Sequence, residues 1–534
     1  MKTKYILASM LLSTFALTSC VDMDTVPEGD IITTGQKTDV IAKDPSKAAA
    51  GVNAIFSQFS TYMTVTGSRH NDFGYPSIML MLDTNGYDFL SEDNGYNWYG
   101  NDLDYTDRVY TSNECKIAWN SIYQIIYAAN NVIGSIDAKT TDNTQKFYLG
   151  QALAARAFDY WVLAQMYQFN YADHKTSPCV PLITEANAAT APVDGCKRST
   201  VEEVYAQITS DINNAITMLK DAKDAGQTRA DKRYIDLGVA YGLRARINLT
   251  MEKWAAAAED AASAITESGA KPYSIDEVSV PTMYDSADSS IMWAVVISED
   301  DRVVTSGMIN WPSHMGSLNY GYAESCGGRQ INKKLYNTIP DSDVRKGWWL
   351  NENKTSNHLN ADFAYMVSAD YCGYPAYTQV KFAPYKNVVE NSVNANDIPL
   401  MRVEEMYLIK AEGEAMSGKA GDALNTLVNF IKTYRDPSYS FTSANPVDIQ
   451  EEIYRQRRIE LWGEGLSWFD IMRLKKNVDR RGAGYPNATV VYNIKYGDNA
   501  MLWRFPESEI QANPALEESD NNPAAAIPSP VADE

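Results

Sequence analysis

The chain has 534 residues, 45% of them hydrophobic and 22% charged, with 47 Lys and Arg against 68 Asp and Glu. That apolar content is ordinary for a packed protein and excludes disorder as a description of the whole, while the length admits one large domain or about three average ones. A formal charge of −21 argues against nucleic acid as the main partner, because phosphate affinity comes from clustered Lys and Arg, and against resting on anionic lipid through a basic face.

Lys2 and Lys4 precede an apolar run from Tyr5 to Leu17, too short to span a bilayer as a helix. The run ends Leu17-Thr-Ser-Cys20, which resembles a bacterial lipobox: cleavage before Cys20 and lipidation of its thiol are expected, with residues 1–19 as the signal peptide. More than one acyl chain on Cys20 anchors a protein stably where a single chain does not. Residues 20–46 then read as anchor and flexible tether. No later stretch is long and apolar enough to be a transmembrane helix.

The body, 47–521, reads as one mainly α domain with little β. Apolar positions Ile117, Trp119, Ile122, Tyr123, Ile126 and Tyr127 predict a helix over 112–137, and an alanine-rich run predicts another over 144–170. Thr200-Val-Glu-Glu203 is a capping box, and Val204 to Leu219 behind it keep helical spacing. Tyr241, Ala245 and Ala257 recur with the same offsets as Tyr407, Ala411 and Ala423. Each set lies in a helix–turn–helix, 233–250 with 253–267 and 399–416 with 420–434. Small residues at such offsets let paired helices approach closely, as in tetratricopeptide-like repeats. A further pair, 448–462 and 466–477, opens on a second capping box, Asp448-Ile-Gln-Glu451. The helical repeats thus occupy about 112–267 and 399–477. Two irregular stretches, 68–111 and 270–397, form an inserted lobe rich in Gly, Asn, Asp and aromatics, and insertions of that size are usually functional. Residues 522–534 read as a loose tail.

Motifs for catalysis are missing: there is no G-x-S-x-G, Walker A, H-E-x-x-H or dinucleotide fingerprint. His70, His174, His314 and His358 sit in no ligand pattern and read as ordinary surface or core residues. No cofactor is expected. Asp83-Thr-Asn85-Gly-Tyr-Asp88 and Asp102-Leu-Asp104-Tyr-Thr-Asp107 have a calcium-like spacing without a full calcium loop, which leaves calcium as a minor alternative. Beyond Cys20 the cysteines are Cys115, Cys179, Cys196, Cys326 and Cys372, an odd number. Cys179 and Cys196 flank one loop, and their spacing neither requires nor forbids a disulfide.

The composition is richest in a different signal, 34 Tyr against 14 Phe and 11 Trp. Tyr87, Phe89, Tyr96, Trp98, Tyr99, Tyr105 and Tyr110 crowd one short stretch among Asn and Asp residues, and Asn310-Trp311, Tyr320, Tyr322 and Arg329 mark a second. A flat ring beside amide or carboxylate acceptors matches a sugar, which presents a C–H face and ring hydroxyls. Trp98, Tyr99 and Trp311 are therefore the expected stacking platforms, with Tyr96, Asn101, Asn310, Tyr320 and Arg329 as further contacts. The alternative for each aromatic is that it pins a loop to the helical body.

One stretch is specific: Arg457-Arg458-Ile-Glu460-Leu-Trp-Gly463-Glu464-Gly465-Leu-Ser-Trp468-Phe469-Asp470-Ile-Met-Arg473. It reads as helix, glycine turn, helix, with opposite charges close enough to pair and fix the fold. It resembles the C-terminal hallmark of the SusD/RagB family of outer-membrane nutrient-binding lipoproteins. Ala154 to Phe158, Val180 to Thr184, Asp341 to Arg345, Arg402 to Glu412 and Phe505 to Pro514 follow in the family's order, so the resemblance covers nearly all of the mature chain. Two places depart from the pattern: a longer loop with His174 and Cys179 before Pro181, and an Arg-rich helix end reduced to Tyr434-Arg435.

The resemblance implies a superhelical scaffold of four tetratricopeptide-like pairs carrying the irregular lobe as ligand site. It further implies a lipid-anchored, surface-exposed outer-membrane protein that hands oligosaccharide to a SusC-like TonB-dependent transporter, without catalysis. Binding of peptides or other non-sugar nutrients for the same transporter class is the alternative; a glycoside hydrolase and a purely scaffolding repeat protein are more distant ones. Ligand residues vary across the family, so none carries over by motif.

Overall fold

The computed structural model describes residues 34–92, 95–325 and 327–534; the signal peptide, Cys20, most of the expected tether and Cys326 lie outside the described residues. The part of the tether that is described is ordered. Helix α1 (Thr34–Lys43) is followed by a turn that Asp44 caps through the Ser46 N–H, and α2 (Ala48–Ser57) continues the chain. The tether expectation fails here because Ile41 is buried, giving this segment an apolar anchor on the body.

Helix α3 (Tyr75–Asn85) is the one the sequence hid. Every residue of it is buried, so it shows no amphipathic period and reads as loop. Strand β1 (Phe89–Leu90) and the short α4 (Gly100–Asp104) follow. The scaffold then unfolds in order: α5 (Asn113–Ile133), α6 (Asn143–Tyr167), the β2 (Pro178–Pro181) and β3 (Arg198–Thr200) hairpin, and α7 (Val201–Asp224). Helices α8 (Leu237–Thr250) and α9 (Trp254–Ser268) complete its first half. The capping box at Thr200 forms as expected, with Glu203 N–H donating to Thr200 Oγ1 at 3.2 Å and Thr200 N–H to Glu203 Oε2 at 2.7 Å.

The inserted lobe contributes β4 (Ile291–Val295), the short helices α10 (Trp311–Met315) and α11 (Tyr322–Ser325), and β5 (Gln330–Ile331). Strand β6 (Ile398–Arg402) leads into α12 (Val403–Met416), α13 (Ala420–Tyr434), α14 (Pro446–Glu460) and α15 (Ser467–Arg473), with β7 (Val478–Asp479) and β8 (Asn493–Ile494) behind them. The described strands form four two-stranded antiparallel sheets, β1–β5, β2–β3, β4–β6 and β7–β8. The fold is mainly α with little strand, as expected. Helix α12 begins four residues later than its period suggested, because Ile398–Arg402 pairs with β4 instead. Helix α14 is capped by Asn445 ahead of Pro446, and Asp448 lies inside its first turn, so the second predicted box is not the cap.

Helix pairs α8–α9 and α12–α13 pack along the offsets that repeat in sequence. Ala245, Ala257, Ala411 and Ala423 are all fully buried, and Tyr407 stacks on Phe430 at 5.3 Å.

The hallmark helices do their work through charge. Arg345, Arg402 and Arg435 converge on the buried Glu460, and Arg402 and Lys381 on Glu464. Arg457 and Arg473 share Asp470, and Arg473 also holds Glu412. These partners come from both the scaffold and the lobe, so the network locks the two together. From α14, Arg458 grips Asp88 at 2.6 and 2.7 Å, and the Trp462 indole N–H donates to Asp88 O, fixing the strand that leads to Trp98. The tail is not loose either: Val531 N–H donates to Val491 O at 2.9 Å, and Asn522 Nδ2 to the carbonyls of Tyr167 and Trp503. Among the described residues, Cys115, Cys179, Cys196 and Cys372 are free thiols, so Cys179 and Cys196 do not pair.

Candidate binding surface

The two aromatic stretches meet in space. The loop from β1 to α4 brings Trp98 against His70, ring to ring at 4.5 Å and 22°, with the Arg69 guanidinium 4.9 Å from the indole centroid. Tyr322, from the second stretch, crosses the Trp98 edge at 6.2 Å, and its hydroxyl shares a hydrogen bond with His70 Nδ1. Beneath lies a column in which His314 stacks on Phe73 at 5.5 Å and on Tyr322 at 4.8 Å.

Local chemistry sets these positions. Asn97 turns the loop: its Nδ2 donates to Ser91 Oγ and Glu92 O, and its Oδ1 accepts from the Tyr99 N–H. Asn71 Nδ2 holds the Trp98 carbonyl at 3.1 Å. Asn310 caps α10 by accepting from Ser313 N–H, and Pro312 in the first turn suits a helix start. Arg69 is fixed by Glu114 at 2.9 Å, which also accepts from Asn101.

Both histidines are neutral at neutral pH. Burial pushes His314 down to about 3, and burial with the adjacent Arg69 lowers His70. The surface therefore offers rings, amides and hydroxyls, with charge at its margins.

The expected site residues divide. Trp98 is half-buried, Tyr96 and Tyr320 are exposed at 60% and 45%, and half-buried Asn101 lies beside the Arg69–Glu114 pair. The other four are corrected. Tyr99 is 1% exposed, its hydroxyl at Ser77 and its ring against His314; Trp311 is 2% exposed, edge-on to Phe382 at 5.0 Å. Asn310 is a buried cap, and Arg329 is buried, donating from Nε to His314 O and from Nη1 to Asn97 Oδ1. All four build the floor and offer a ligand no open face. His70, Arg69 and His314 were missed, because their partners lie in distant segments and no local pattern marks them.

Several carboxylates of the calcium-like strings have protein partners. Asp83 accepts from Gly465 N–H and Ser467 Oγ, Asp88 pairs with Arg458, and Asp107 pairs with Arg108. Among the described residues no three His, Cys, Asp or Glu are grouped to hold a metal. A cleft of roughly 970 Å³ lies elsewhere, between His174, Arg198 and Leu516.

A family model described as the SusD family matches residues 227–524, and one described as starch-binding, associating with the outer membrane, matches 77–249. A SusD-like protein, P38, of Formosa agariphila is 26% identical over 406 residues, 68% of this chain and 73% of that one. The crystal structure of a SusD-like carbohydrate binding protein from Bacteroides vulgatus superposes with a TM-score of 0.73 at 23% identity, covering 90% of this chain and 98% of its own. A SusD superfamily protein from Bacteroides thetaiotaomicron gives 0.68 at 21% identity, covering 90% and 99%.

Proposed function

The chain belongs to the SusD family, and on that premise we propose that it captures glycan at the cell surface and passes it, unmodified, to a SusC-like TonB-dependent transporter. The observation that carries the reading is the surface of Trp98, His70 and Tyr322, flanked by Tyr96 and Tyr320. A half-buried indole on a rigid stack loses little entropy when a sugar ring settles on it, and the amides and carboxylates around it suit sugar hydroxyls. The carbohydrate-binding relative of the same fold and the starch-binding family description support a saccharide over a peptide.

Anchoring through lipid on Cys20 in the outer membrane belongs to the same reading. The transporter is the partner that makes capture useful, because a non-catalytic binder has no other outlet for its ligand. Retention on immobilised polysaccharides in native gels tests the ligand class: slowed migration on at least one polysaccharide supports the proposal. Unretarded migration on all of a broad panel, with capture of peptides instead, overturns it.

A further inference from the structure

Carboxylates stand at the edge of this surface. Glu324 lies half-buried in α11, two residues after Tyr322. Glu390 arrives on the neighbouring loop, where its own N–H donates to Leu318 O at 3.0 Å and Asn394 Nδ2 donates to Tyr320 O at 3.1 Å. The Glu390 carboxylate pushes the neighbouring Tyr371 hydroxyl above its ordinary range, and the Tyr371 ring lies 5.8 Å from that of Tyr365. Tyr365 and Tyr371 are 58% and 43% exposed. On the β1–α4 side, the Glu92 carboxylate lies 3.6 Å from where a Cβ on Gly327 would stand.

The positive charges do not offset these. Arg69 is paired with Glu114, and Arg329 is buried with its Nε on the His314 carbonyl. His70 and His314 are neutral, as above. Glu324 and Glu390 already repel one another, and with partial burial this raises the Glu324 carboxyl above its usual range. A third anion brought to the same rim meets that repulsion, while an uncharged sugar does not.

We infer that Glu324 and Glu390 are specificity residues that restrict the surface to uncharged glycans and reject uronate- or sulfate-bearing ones. Like-charge opposition of this kind discriminates by penalising the wrong ligand more than by favouring the right one. Because Glu390 is exposed, the rejection weakens as salt rises, the screening length being about 8 Å at physiological ionic strength. The inference rests on the proposed glycan binding at this surface.

The test uses the folded full-length mature protein and immobilised polysaccharides in charge-matched pairs: starch, galactan and mannan, each beside its C6-oxidised polyuronate, and polygalacturonate and alginate, each beside its carboxyl-reduced form. The wild type should bind a neutral member at least tenfold tighter than its acidic twin in low salt, with the ratio shrinking in 0.5 M NaCl. Glu324→Gln with Glu390→Gln should recover most of that ratio for the acidic twin and leave the neutral one within about twofold. Tighter binding of an acidic member by the wild type, or a ratio unmoved in the double variant, overturns the inference while leaving glycan binding intact. Failure to bind any member overturns both.

Discussion

Trp98 and Trp311 carry the same side chain and opposite roles. Trp311 is 2% exposed in a close-packed floor, and truncating it to Ala should lower stability by about 3–5 kcal/mol, read as a fall in the denaturation midpoint. Aromatic density among polar residues pointed to two segments that meet in space, but not to which of their rings are buried. That depends on partners such as His70, whose carbonyl accepts from His314 across 244 positions, and on helix α10 turning Trp311 inward. Asp83 gives a second test at this scale. Fully buried, its carboxyl is pushed up to about 7 by desolvation, against 3.8 when exposed. Between those values the unfolded chain releases a proton that the folded chain keeps, so stability falls as pH rises from about 4 to 7. One pKa unit corresponds to 1.36 kcal/mol, so this contribution approaches about 4 kcal/mol. Asp83→Asn should flatten the wild-type slope across that window in urea denaturation; an unchanged slope would remove Asp83 as its source.

At the scale of elements, helices with one wet face announced themselves, and those without did not. The Thr200 box and the alanine offsets of α8–α9 and α12–α13 were legible because capping and close packing need specific residue types at fixed spacing. Helix α3 was not, since burial on every side erases the period, and the 34–43 and 522–534 segments were misread because polar composition hides a few anchoring contacts. The hallmark turn between α14 and α15 demands glycine. Gly465 has φ of +73°, and a Cβ there would stand 2.5 Å from Met79 Cβ on α3. Gly465→Ala should therefore cost about 3 kcal/mol, from left-handed strain together with overpacking. Glu460 faces three arginines within the buried network, so Glu460→Gln leaves their charges under-compensated and should cost about 3–5 kcal/mol in the same assay.

Over the whole molecule, the scaffold and the lobe are joined by that charged network, and the proposed binding surface sits where the two irregular stretches meet. The family was legible from the hallmark because fold determinants repeat as a linear motif. The site was legible only as a neighbourhood, because its members come from three separated segments and several of them have no pattern of their own. In the proposed function glycan settles on Trp98. The most direct test is calorimetric titration of the wild type and Trp98→Ala with a polysaccharide that retards the wild type, both proteins being folded by circular dichroism. Trp98→Ala should lose at least tenfold in affinity, and unchanged affinity would overturn the proposal.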